Sequence, residues 1–194
     1  MSINLLNNYI TVSIYTNTKS IKNTTVQIFG NKDTNIAKHY NEIIDIGIAR
    51  FIIFRHQDIQ ISEDIIDNIQ KFYNPDEMGV CGVVGRDNVK EFYKAGRKHE
   101  IKYNYVSTVD SCFFMIDKKH GLRFDEKIFD GLHLFCEDMC MQEMKAGRQN
   151  VMINCATFEH YGESTKKYGN FWGDWHKYYD RFKDKWKNEK WEIC

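Results

Sequence analysis

Short β-branched runs that alternate with stretches of helical spacing predict an α/β fold, a sheet covered by helices on both faces. Two further observations agree. FIIF at residues 51–54 and GVCGVVG at 79–85 are continuous apolar runs, the pattern of strands buried on both sides. Residues 35–49 carry Ile36, Tyr40, Ile43, Ile44 and Ile48 at helical spacing.

Taken in order, ITVSIY at 10–15 reads as the first strand, closed by the polar turn Thr16-Asn17-Thr18-Lys19. TVQIF at 25–29 is the second, ended by Gly30-Asn31, and Asp33 or Asn35 caps the helix that follows. FIIF stops abruptly at Arg55-His56-Gln57-Asp58. Ser62-Glu63-Asp64 then opens a helix through Lys71, with Ser62 as its cap. GVCGVVG and CFFMI at 112–116 add two buried strands. A helix opened by the adjacent acids Glu137 and Asp138 runs to Lys145-Ala146-Gly147. Between Tyr168 and Trp191, Phe171, Trp175, Tyr178 or Tyr179, Phe182 and Trp186 recur at intervals of three and four. They make an amphipathic aromatic C-terminal helix, with lysines, Arg181 and aspartates on its other faces.

At 194 residues the chain suits one domain spanning 1–194, and a single proline leaves no Pro-rich linker to divide it. Its 27 basic residues balance 27 acidic ones, so the basic excess of a duplex nucleic-acid binder is missing. No run approaches the roughly 20 apolar residues of a transmembrane helix. The opening MSINLLNNYITVSIYTN lacks the basic start and apolar core of an export signal, which places the chain in the cytoplasm. Cys81, Cys112, Cys136, Cys140, Cys155 and Cys194 form no C-x-x-C pair and read as reduced core thiols.

Open α/β sheets bind ligands beyond the carboxyl ends of their strands, so the polar residues just after Tyr15 and Phe54 come first. His56 and Asp58 follow a rigid strand, and one Asp beside substrate phosphates suits Mg²⁺ or Mn²⁺, hard ions that take oxygen ligands. The plain alternative is a solvated surface turn. The acids Glu137 and Asp138 complement a helix dipole without any catalysis, or one of them is a general base. His160, in Glu159-His160-Tyr161-Gly162, is a structural histidine or sits in a loop that approaches a ligand closely. The C-terminal aromatics dock on the core. Trp172 and Trp175 can alternatively stack on an acceptor sugar, and contact with a membrane surface is a third reading.

Taken together, NIAKHYN (Asn35 to Asn41), FIIFRHQDI, RFDEKIF, HLFCEDMC, KAGRQ and EHYGES resemble a nucleotide-sugar glycosyltransferase. More narrowly, they resemble a bacterial or viral subgroup of the large inverting family that contains the cellulose and hyaluronan synthases. The resemblance implies the GT-A fold, a Rossmann-like, mainly parallel sheet with helices on both faces. It implies transfer from a nucleoside-diphosphate sugar, a UDP-sugar first among them, to a hydroxyl of a glycan or glycoconjugate. Mn²⁺ or Mg²⁺ would neutralise the departing diphosphate.

The family's Asp-x-Asp is matched here by His56-Gln57-Asp58, so Asp58 carries over as metal ligand, joined by His160. Glu137-Asp138 matches the acidic pair that includes the catalytic base, assigned to Asp138 with Glu137 as alternate. Thr16 and Asn17 match the hold on nucleobase and ribose, Asn41 and His56 further nucleotide-sugar contacts, and Asp110 with Ser111 a stretch near the transferred sugar. The segment between the first two strands is short for the family, and the whole chain is near its minimum length.

Two rivals remain. A nucleotidyltransferase would need a glycine-rich phosphate loop after the first strand, and Thr16-Asn17-Thr18-Lys19-Ser20 has no glycine. A non-catalytic carbohydrate-binding or assembly module would rest on the C-terminal aromatics alone.

Overall fold

The computed structural model describes residues 9–15, 26–29, 35–46, 50–56, 59–61, 65–86, 92–94, 103–154, 158–160 and 171–191. Strands β1 (Tyr9–Tyr15) and β2 (Val26–Phe29) precede helix α1 (Ile36–Ile46). Then come β3 (Phe51–His56), β4 (Ile59–Ile61) and helix α2 (Ile65–Phe72). The middle of the chain is strand-rich: β5 (Met78–Gly82), β6 (Val84–Arg86), β7 (Phe92–Lys94), β8 (Tyr103–Val106), β9 (Thr108–Val109) and β10 (Phe113–Asp117). After a 3₁₀ turn at Lys118–His120 follow α3 (Phe135–Lys145), β11 (Gln149–Ile153), β12 (Phe158–His160) and α4 (Phe171–Lys185).

Seven strands form one sheet in the order β2-β1-β3-β10-β5-β11-β8. The protein is thus α/β, as its alternating runs predict. The expected mainly parallel sheet is only half realised. β1 runs parallel to β2 and β3, and β11 to β5, but β10 is antiparallel to both its neighbours and β8 to β11. A parallel crossover needs a long connection, usually a helix. Among the described residues between β5 and β10 there are short strands and no helix, so the chain re-enters the sheet reversed. GVCGVVG is not one strand either: it breaks after Gly82, and β6 joins a second sheet with β7 and β9. Gly82 permits the crossing, since a Cβ there would lie 2.6 Å from the Cβ of Val109.

Alternate residues of each central strand feed two separate cores. Ile52, Phe54, Val80, Phe114, Ile116 and Met152 pack with α1, α3 and α4, while Ile53, Cys81, Met115 and Val151 pack with Ile65 and Ile69 of α2. Both faces are covered, which is why these strands read as unbroken apolar runs. Of the two candidate caps, Asn35 caps α1 by accepting from the backbone N–H of Lys38 at 2.9 Å. The aromatic C-terminal helix docks as expected, with Tyr178, Phe182 and Trp186 buried and Trp175 and Tyr179 half-buried beside them. Among the described residues no helix is long and apolar enough to cross a membrane.

Two polar clusters tie the layers together. Fully buried Asn150 accepts from Val80 N–H at 3.0 Å and donates to the carbonyls of Ser107 (2.8 Å) and Cys140 (3.0 Å), joining β5, β11, α3 and the link before β9. At the amino end of β3, Arg50 grips Asp117 through two nitrogens, and His120 and Arg148 each take one oxygen of Glu143. Each carboxylate oxygen in this second cluster has a donor. Because Asn150→Ala would orphan three buried backbone groups, it should lower unfolding free energy by about 3 kcal/mol in urea titration. A loss near zero would show that water replaces the amide.

Candidate functional site

Parallel strands β1 and β3 leave the sheet centre in opposite directions of strand order, β1 leading to β2 and β3 bordering β10. That makes their carboxyl ends a topological switch point, where open α/β sheets hold ligands. His56 ends β3 opposite Ile14, and its backbone N–H donates to the carbonyl of Cys112 at 2.8 Å. Strand alternation sends His56 to the same face as Phe54, the face covered by α1, α3 and α4. Asp110 and Ser111 sit in the turn that feeds β10 beside it, with Asp110 Oδ1 accepting from Cys112 N–H at 2.7 Å. Three expected site residues thus share one edge of the sheet.

The head of α3 meets that edge. Leu134, just before the helix, is buried with φ 61°, a left-handed conformation that costs a leucine about 1 kcal/mol or more. Its carbonyl accepts from Asp138 N–H at 3.0 Å. The first helical turn follows with its two acids in very different settings.

Glu137 is 5% exposed, and among the described residues its buried Oε2 has no hydrogen-bond partner. Burial first, then the nearby charge of Asp110, push its carboxyl up to about 8; its own backbone N–H pulls the other way, and the charge of Asp138 adds the smallest push. Among the described residues no basic side chain offsets these charges. A buried carboxylate with a spare oxygen, beside a second carboxylate and at a switch point, is the arrangement by which proteins tune acid–base groups.

Asp138 is fully buried and fully bonded. Oδ1 accepts from Trp186 Nε1 at 2.9 Å and pairs with Lys185 Nζ at 2.8 Å, and Oδ2 accepts from Gln142 Nε2 at 2.9 Å. Burial raises its carboxyl despite Lys185, Trp186 and Gln142, which all pull the other way. As folded, it faces α4 and not the strand ends.

Asn41 has a structural task. Its amide donates to the carbonyl of Phe124 (2.9 Å) and accepts from Phe124 N–H (3.0 Å), strapping the segment before α3 onto α1. Its amide is thus engaged at both ends within the fold. Thr16, Asn17 and Asp58 lie outside the described residues. His160 and Trp172 are placed by backbone alone. Register sets His160 of β12 opposite Ile59 of β4, one residue beyond Asp58. Trp172 opens α4. Trp175 stacks on Tyr179 with centroids 4.9 Å apart and planes 14° from parallel, so one of its faces is occupied by the protein itself.

The donors around Asp138 have no signature in the sequence. Lys185 and Trp186 read there as ordinary members of a helix, 47 and 48 residues away. The different settings of Glu137 and Asp138 are equally hidden, because both acids fall in one turn.

No family model matches the chain, and no curated protein matches it. Among solved structures it is similar to A197 from STIV, with 8% identity, a TM-score of 0.50, and 79% of this chain and 85% of that one covered. At such identity the likeness speaks for the fold alone.

A carboxyl whose folded value stands above its unfolded one binds its proton more tightly when folded, so stability falls as pH rises between the two values. For Glu137 the window runs from 4.5 to about 8. Glu137→Gln removes this contribution. The difference in unfolding free energy between variant and wild type should therefore grow in the variant's favour across that window, by roughly 5 kcal/mol at most, and stay constant above it. A difference independent of pH would place Glu137 in water.

Proposed function

We propose that this chain is a glycosyltransferase of GT-A type, moving a sugar from a nucleoside-diphosphate donor, a UDP-sugar first, to an acceptor hydroxyl with inversion. The observation that carries the reading is the unpartnered oxygen of Glu137, buried at the head of α3 beside Asp110 and the strand-end residues. It moves the role of base from Asp138 to Glu137. A base must reach the proton it removes, and Asp138 has both oxygens engaged in the protein interior.

In the reaction, the acceptor oxygen attacks the anomeric carbon from the face opposite the diphosphate. A bond forms between that oxygen and the anomeric carbon as the bond from carbon to diphosphate oxygen breaks. The nucleoside diphosphate leaves with the bonding pair, and the hydroxyl proton passes to Glu137 Oε2. A carboxylate raised to about 8 is a stronger base than an ordinary one and is ionised above that pH. His56, Asp110 and Ser111 would line the donor side.

The family resemblance, not the register, pairs His160 with Asp58, one imidazole and one carboxylate. That donor set suits Mn²⁺ better than Mg²⁺, which prefers oxygen. Such an ion, when bound, would neutralise charge on the diphosphate. The strand order around β1 and β3 and the cover on both faces support the GT-A reading.

Two tests follow. UDP should raise the melting temperature by several degrees in the presence of Mn²⁺ and much less without it, and Asp58→Ala or His160→Ala should abolish the difference. A shift produced by glycans alone, with no effect of nucleotide or metal, would favour the carbohydrate-binding module. In a transfer assay, kcat/KM should climb with pH through about 8. Glu137→Gln should cut turnover by at least 100-fold with donor binding intact. Undiminished turnover in that variant would overturn the assignment.

A further inference from the structure

Asp138 does nothing in the transfer just described, yet it is the most heavily bonded side chain on the head of α3. Lys185 does more than pair with it. Its ammonium also reaches Asp125 Oδ2 at 2.8 Å and lies 5.5 Å from the ring centroids of Phe129 and Trp186. One turn earlier on α4, Arg181 donates to the carbonyl of Ile128 and to Asp130 Oδ1, both at 2.7 Å, and Tyr178 Oη donates to the same Asp130 oxygen at 2.9 Å. Helix α4 therefore holds both the first turn of α3 and the segment that leads into it. From the other side, α1 holds that segment through Asn41 and through Asn35, whose amide donates to the carbonyl of Glu126 at 2.9 Å.

Successive residues of a helix stand about 100° apart around its axis and 1.5 Å apart along it. Any slip or rotation that frees Asp138 thus displaces Glu137 by a comparable amount. A base works only within about 3 Å of its proton, and a 1 Å misplacement can cost on the order of 100-fold in rate.

We propose that Asp138, clasped by Lys185 at the end of α4, by Trp186 just beyond it and by Gln142, is a positioning residue that holds Glu137 at the strand-end edge. The proposal rests on the reading of Glu137 as the base. It makes α4 part of the working site without contact to substrate.

The clasp also sets charge. The charged groups that act on Glu137 are Asp110 from the turn before β10 and Asp138 from its own helix, with the Cys136 thiol beside them and Lys185 of α4 facing Asp138. Removing Asp138's charge takes away one of the two carboxylates that hold Glu137 up. Removing Lys185's charge leaves Asp138 uncompensated and acts in the opposite sense.

The test compares Asp138→Asn, Lys185→Met, Lys185→Arg and Trp186→Phe in the full chain, by carboxyl ¹³C NMR titration of Glu137 and by steady-state transfer kinetics. The Glu137 midpoint should fall by a few tenths of a pH unit in Asp138→Asn, rise in Lys185→Met, and return in Lys185→Arg. Trp186→Phe keeps an aromatic ring in the core, at the cost of some volume, and removes the indole donor, so it serves where Asp138→Asn does not fold. It should lower kcat at least tenfold with the donor KM within twofold. A midpoint that stays put in both charge variants, or an unchanged kcat in Trp186→Phe, overturns the clasp while leaving an enzyme sensitive to Glu137→Gln. Inactivity of Asp138→Asn at every pH with an unmoved Glu137 midpoint returns the base to Asp138 and overturns it too. Full turnover in Glu137→Gln removes the base itself, and the clasp loses its purpose with it.

Discussion

A carboxylate with no access to water needs donors from the protein, and in this fold the one on Asp138 recruits them from two helices. Lys185 at the end of α4 and Trp186 just beyond it meet it from one side and Gln142 from its own helix. Breaking such a set by removing one partner costs far more than the set gains over an apolar core, so its value lies in fixing one arrangement. That arrangement decides where the first turn of α3 sits. Leu134 is held left-handed at the helix entrance, and Glu137 is left with one oxygen unanswered.

Contrast between the two ends of the sheet gives that orphan oxygen its meaning. At the amino end of β3, Asp117 and Glu143 are as deeply buried as Glu137, but Arg50, Arg148 and His120 supply a donor to each oxygen. Charge there is neutralised within the fold and acts as a brace. At the carboxyl end, Glu137 faces Asp110 and Asp138 with no cation among the described residues to offset them, and its proton is held to about pH 8. The same physical rule, that buried charge must be paired or neutralised, thus gives a structural cluster at one end and a titratable group at the other.

Much of the architecture was legible in local pattern. FIIF and CFFMI announced strands covered on both faces, and the two cores divide their residues as alternation requires. Asn35 was one of two candidate caps, and the buried stripe of α4 followed from the spacing of Tyr178, Phe182 and Trp186. GVCGVVG misled because an apolar run says nothing about which sheet it joins; contact of Gly82 with Val109 decides that. The direction of β10 was equally hidden, since it depends on what connects two strands and not on the strand itself. Asn41 shows the same limit at the site. Its residue type suits a nucleotide contact, and only the packing of the 122–129 segment reveals that both ends of its amide are taken.

By itself, then, the sequence determined an α/β chain with buried strands, an aromatic C-terminal helix and a short inventory of polar residues after strand ends and at one helix start. Those features depend on neighbours within a turn or a strand, where spacing alone sets the face a side chain occupies. Tertiary structure decided which of two adjacent acids is bonded and which is left over. Burial and charge are set by groups that meet across about 50 residues of chain, as Trp186 meets Asp138, and no local period records such a meeting.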